Sequence, residues 1–100
     1  MSLTTHVLDI VRGGGAAGMQ VEVTGPHGKA GAVLDDSGRA VLLPELVAGS
    51  YEILFHAGAY QDHAGFYDVI PVRFNVTDPA AHYHVPLVLG AFGYSTYRGG

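Results

Sequence analysis

The stretch Tyr51-Glu52-Ile53-Leu54-Phe55-His56-Ala57 sets Tyr51, Ile53, Phe55 and Ala57 in alternation with Glu52, Leu54 and His56. A strand turns successive side chains to opposite faces, so this period of two reads as a strand with one buried face. The same alternation recurs on both sides of it. Met19, Val21 and Val23 alternate with Gln20, Glu22 and Thr24, and Val72, Phe74 and Val76 alternate with Arg73, Asn75 and Thr77. Weaker strands are expected over residues 4–11, 31–34, 39–43, 82–89 and 94–98. Helical periodicity is not sustained anywhere, and only residues 58–65 leave room for one short helix. Turn chemistry separates the strands: Gly13-Gly14-Gly15, Gly25-Pro26-His27-Gly28, Asp35-Asp36-Ser37-Gly38, Ala48-Gly49-Ser50 and Asp78-Pro79. About eight short strands spaced by turns predict an all-β sandwich.

A chain of 100 residues implies one domain over residues 1–100. Hydrophobic residues make up 48% and charged residues only 14%. So little charge hints that part of the surface is covered by other subunits. The net charge is −4 and no basic run exists, which argues against a nucleic-acid partner. Without cysteine there is no disulfide framework and no thiolate metal site. No apolar run approaches a membrane span. The opening residues do not pair a charged segment with an apolar one, so no secretory leader is expected and the cytoplasm is the default setting.

Six histidines stand out as groups that can exchange a proton near neutral pH. His82-Tyr83-His84 is the most informative. On a strand both imidazoles point one way, while Tyr83, Val85, Leu87 and Leu89 point to a core. Read alone, the pair is either two solvated or hydrogen-bonded histidines, or a catalytic or metal-binding couple. His6 shares a strand face with Leu8 and Ile10, where a lone histidine is more often a satisfied, partly buried residue. Arg39 opens a strand after a turn, a place where arginine is usually solvated. His27, His56 and His63 carry no pattern. No phosphate-binding glycine loop and no Gly-x-Ser-x-Gly elbow is present. The ending Tyr94-Ser95-Thr96-Tyr97-Arg98-Gly99-Gly100 concentrates aromatic and cationic groups after a strand.

Three segments carry a resemblance over almost the whole chain. They are Leu3-Thr4-Thr5-His6-Val7-Leu8-Asp9, then Asp78-Pro79-Ala80-Ala81-His82-Tyr83-His84-Val85-Pro86-Leu87, and the ending Gly93 to Gly100. Phe55-His56-Ala57-Gly58-Ala59-Tyr60 supports them. With these in order the chain resembles the transthyretin-related 5-hydroxyisourate hydrolases. The resemblance implies two four-stranded sheets, a homotetramer, and active sites between subunits that take a small-molecule substrate. It implies catalytic roles for His6, Arg39 and His84, with Arg39 resting on the short match Asp36-Ser37-Gly38-Arg39. It also implies a substrate-binding tail, Tyr97, Arg98, Gly99 and Gly100, where the family's last residue is usually Ser rather than Gly. The transthyretin hormone carriers lack that tail.

The chemistry implied is hydrolysis of a strained cyclic amide in an oxidised purine. A neutral imidazole suits the base that activates water. A fixed guanidinium suits the charge that grows on the carbonyl oxygen. The scheme calls for no cofactor and no metal. Two alternatives remain at this level: a zinc-dependent hydrolase using His6, His82 and His84, and a non-catalytic small-ligand carrier.

Overall fold

The computed structural model describes residues 1–100 as two packed sheets. The second sheet holds the three strongest sequence strands. Its strands are β3 (Gln20–Gly25), β4 (Gly28–Val33), β6 (Gly49–His56) and β7 (Val69–Val76), in the order β4-β3-β6-β7 and all antiparallel. Val21 faces Phe55 and Val23 faces Ile53 across β3 and β6, so the apolar sets of neighbouring strands fall on one face. Phe55 and Ile53 are fully buried. Truncating such a side chain to Ala costs about 2–5 kcal/mol, because the cavity collapses only in part.

The first sheet is built from six segments around β1 (Leu3–Asp9). On one side lie β2 (Gly14–Gly15) and β5 (Arg39–Leu43), both antiparallel to β1. On the other lie β8 (Tyr83–His84) and β9 (Leu87–Leu89), both parallel to it, and beyond β9 runs β10 (Tyr94–Thr96). These segments fill four rows, which reconciles them with the expected four strands. The single strand expected over 82–89 is broken at Val85-Pro86, where proline has no N–H for the ladder. Gly13-Gly14-Gly15 is not only a turn, since Gly14 and Gly15 pair with Asp9 and Leu8. The first strand stops at Asp9, whose carboxylate accepts the amides of Val11 (2.9 Å) and Arg12 (3.0 Å) and turns the chain.

The one helix, α1, is Ala57–Tyr60, shorter than the span that could hold it. Asp62 and His63 adopt positive φ of 53° and 62°, which ends it. The Tyr60 hydroxyl donates to Asp9 Oδ2 at 2.7 Å and ties the helix to β1. The core lies between the sheets. Leu3, Val7, Tyr83, Val85, Leu87 and Leu89 face Val21, Val23, Tyr51, Ile53, Phe55 and Ile70. The opposite face of β1, with Thr4, His6 and Leu8, therefore looks outward. His6 shares that face with Leu8 and Ile10, as the alternation requires, but Ile10 is 65% exposed, so the face is not core.

Candidate active site

Three adjacent rows bring the site residues together. His6 on β1 is the register partner of Arg39 on β5, and Thr4 on β1 is the partner of His84 on β8. All four point to the outward face, because the buried residues of these strands are their neighbours Leu3, Thr5, Val7, Tyr83 and Val85. Thr4, Asp35, Arg39, Val41 and His84 line a cleft of about 290 Å³ there. A larger hollow of about 480 Å³ lies on the second sheet. Its charged pair, Arg73 and Glu52, is already joined at 2.7 Å.

The turn before β5 fixes Arg39. Asp35 Oδ1 accepts the amides of Ser37 and Arg39, each at 2.9 Å, and the Ser37 hydroxyl at 2.7 Å. Gly38 closes the turn with φ +79°, and its carbonyl accepts the Val7 amide at 2.9 Å. A Cβ on Gly38 would stand 2.6 Å from Val7 O, so the turn lies against β1 only as glycine. The guanidinium of Arg39 is exposed and joins none of the chain's ion pairs, which leaves it open to a carbonyl or an anion.

His6 Nε2 lies 3.1 Å from the Ser37 carbonyl. A carbonyl can only accept, so Nε2 carries the proton and Nδ1 is the acceptor of the neutral ring. His84 Nδ1 meets Thr4 Oγ1 at 2.8 Å. Burial, and then the nearby His6, His82 and Arg39, hold the His84 imidazole below its ordinary pKa of 6.5, against a raising contribution from Thr4. His84 is therefore a neutral base at neutral pH.

The tail reaches this site by its backbone. The Gly99 amide donates to the His84 carbonyl at 2.7 Å, and Thr96 Oγ1 donates to the Pro86 carbonyl at 2.7 Å. Gly99 lies against the His84 ring, where a Cβ would stand 2.6 Å from Cδ2. The Arg98 guanidinium stacks 4.1 Å over the Tyr83 ring, on the other side of β8 from His84. Tyr97 is exposed beside the same ring, in a hollow with Phe74, and Gly100 is exposed with open space around it. Of the six residues named beside Gly99, the structure thus gathers His6, Arg39 and His84 and leaves the side chains of Tyr97 and Arg98 apart from them. His6, His82 and His84 do not form a metal-ligand group. Thr4 and Ser37 were not anticipated. Thr4 was in reach, since alternation puts it on the face of His6.

The model of the HIUase/Transthyretin family matches residues 3–99. The chain belongs to that family. It is 42% identical to the 5-hydroxyisourate hydrolase of Deinococcus radiodurans, with 97% of this chain and 94% of that one covered. It is 37% identical to 5-hydroxyisourate hydrolase 2 of Rhizobium meliloti, with the same coverage. Among solved structures, the 5-hydroxyisourate hydrolase of Klebsiella pneumoniae superposes with a TM-score of 0.88 at 30% identity, covering 99% of this chain and 98% of that one. Sea bream transthyretin in complex with thyroxine superposes with a TM-score of 0.86 at 29% identity, covering 99% and 95%. The fold of this family thus serves both a hydrolase and a hormone binder, and the outward face of β1, β5 and β8 has to decide between them.

Proposed function

We propose that this chain, acting as a single domain over residues 1–100, hydrolyses 5-hydroxyisourate in urate degradation. One observation carries the reading: two imidazoles and an unpaired guanidinium meet on one outward sheet face, in a chain whose hydrolase relatives match it end to end. Water adds to the ring carbonyl, the amide C–N bond breaks, and 2-oxo-4-hydroxy-4-carboxy-5-ureidoimidazoline forms. His84, neutral and half-buried, takes a proton from the water. Arg39 lies where a planar cation can orient the flat ring and meet the oxyanion. His6, whose Nε2–H donates to the Ser37 carbonyl, keeps Nδ1 as the acceptor it can offer to the substrate. Of the tail Tyr97 to Gly100, Gly99 serves the site most directly, its backbone seated against the His84 ring.

The assembly proposed is a homotetramer with this face turned toward a second subunit, which suits the low charge content. The proposed setting is the cytoplasm, which cell fractionation tests; no helix here is long and apolar enough to cross a membrane. The chemistry is tested by running the reaction in ¹⁸O-labelled water. One labelled oxygen in the product carboxylate, formed faster with the protein than in its absence, is the expected result. Binding of the substrate without turnover supports the carrier reading instead.

A further inference from the structure

His82 has no part in that scheme, yet it is wired into the site. Its Nδ1 meets Ser2 Oγ at 2.9 Å and its Nε2 meets Thr4 Oγ1 at 3.1 Å. The same Thr4 hydroxyl meets His84 Nδ1 at 2.8 Å. Ser2, His82, Thr4 and His84 thus form an unbroken hydrogen-bonded chain from the exposed His82 to the half-buried His84.

A threonine hydroxyl has one proton. Thr4 can therefore donate to only one of the two imidazoles, and when it does so it can only accept from the other, which couples their tautomers. When Thr4 donates to His82 Nε2, His84 Nδ1 carries a proton and its Nε2 is a bare base. When Thr4 donates to His84 Nδ1, the His84 proton sits on Nε2, and the ring is an acid toward the cleft. Hydrolysis of an amide needs both states in turn. A proton must be taken from water, and a proton must be given to the leaving ring nitrogen.

We propose that Thr4 is a positioning residue through which His84 hands its charge to His82, so that one neutral imidazole serves first as base and then as acid. This rests on the hydrolase reading above. The transfers balance. His84 Nε2 takes a proton from the attacking water as its Nδ1 proton passes to Thr4 and the Thr4 proton passes to His82 Nε2. His82 keeps its Nδ1 proton against Ser2 and becomes the imidazolium. His84 Nε2–H then protonates the leaving nitrogen, and His82 returns its Nε2 proton through Thr4 to His84 Nδ1.

The surroundings favour that direction of charge. His84 is faced by His6 and Thr4 from β1, by Arg39 from β5, by His82 just before β8 and by the Gly99 backbone. Asp35 lines the same cleft, but its Oδ1 is turned to the Ser37 and Arg39 amides. A cation at His84 is half-buried and close to the Arg39 guanidinium, whereas a cation at His82 is exposed to water.

Thr4→Val keeps the branched shape and removes the hydroxyl, and Thr4→Ser restores it. Thr4→Val is expected to lower kcat about tenfold with KM little changed, the scale of one hydrogen bond acting in the transition state. Thr4→Ser should recover most of that loss. Imidazole ¹⁵N spectra supply a readout that needs no turnover. In the unaltered protein the His84 Nδ1 and Nε2 shifts should show its tautomer changing as His82 gains a proton, and in Thr4→Val that tautomer change should vanish, leaving only the through-space effect of the His82 charge. Unaltered kcat in a folded Thr4→Val protein overturns the relay, as does a His84 tautomer that ignores His82 in the unaltered protein. If the unaltered protein has no hydrolase activity, the function fails, and the ¹⁵N coupling alone decides whether the relay exists.

Discussion

Replacing Gly99 by Ala tests how the tail serves the site. The new Cβ would stand 2.6 Å from His84 Cδ2, 3.3 Å from Cγ and 3.4 Å from Cβ. Ordinary contact begins near 3.4 Å, so the ring or the tail must give by about 0.8 Å. The tail is held by the 2.7 Å bond from the Gly99 amide to the His84 carbonyl. Giving up that bond costs about 0.5–1.5 kcal/mol. The ring is held by Thr4 on Nδ1 alone, so the ring moves first. A displacement near 1 Å of a catalytic group can cost roughly a hundredfold in rate. Gly99→Ala is therefore expected to lower kcat by about ten- to a hundredfold. Thermal stability should be almost unchanged, because Gly99 lies outside the core and its φ is not in the left-handed region. The assay is steady-state kinetics on freshly prepared 5-hydroxyisourate beside a melting curve. A folded Gly99→Ala enzyme with the original kcat would refute the contact between tail and imidazole.

Four further outcomes are expected. His6→Ala, Arg39→Ala and His84→Ala should each lose about a hundredfold or more in kcat/KM, the scale of acid–base and oxyanion groups, while His27→Ala stays near the original rate. Because the His84 pKa lies below 6.5 in the folded chain and its neutral form is needed, the acid limb of kcat/KM should fall below pH 6.5; a limb centred above 6.5 contradicts the assignment. Asp9 is buried. That opposes its ionisation, but the Tyr60 hydroxyl, the Arg12 and Val11 amides and the Arg12 charge outweigh it and hold its pKa below 3.8. Its stabilising share is thus full above the unfolded value and lost as pH falls through the lower folded value, so Asp9→Asn should destabilise the protein at pH 7 and flatten its loss of stability toward pH 3. Activity should survive a chelator; loss on chelation and return with zinc would revive the metal-dependent reading.

Much of the fold was legible because the strands of the second sheet keep one face dry. Tyr51, Ile53 and Phe55 advertise that face in their spacing. The interruptions in the first sheet were not legible. The pairing of Gly14 and Gly15 with β1 depends on Ser37 approaching so closely that only a glycine fits at position 15, a contact between segments distant in sequence. In the site, alternation alone puts His82 and His84 on one face, but it does not say that β8 lies beside Thr4. That needs the parallel pairing of β1 with β8. His6 was the harder case. The sequence offers Leu8 and Ile10 as its companions, which suggests burial, whereas the dry side of β1 belongs to Leu3, Thr5 and Val7. The resemblance placed the whole tail at the site. The structure brings Gly99 there through its backbone and gives the Arg98 side chain to Tyr83, a preference set by cation–π stacking at short range.

The most direct test of the central claim is the ultraviolet absorbance of freshly made 5-hydroxyisourate, followed with and without chelator-treated protein and with His84→Ala as the control. The account predicts rapid decay with the protein, near-spontaneous decay with the variant, and the ring-opened carboxylate as product. Decay at the spontaneous rate in the presence of the folded, unaltered protein would contradict it.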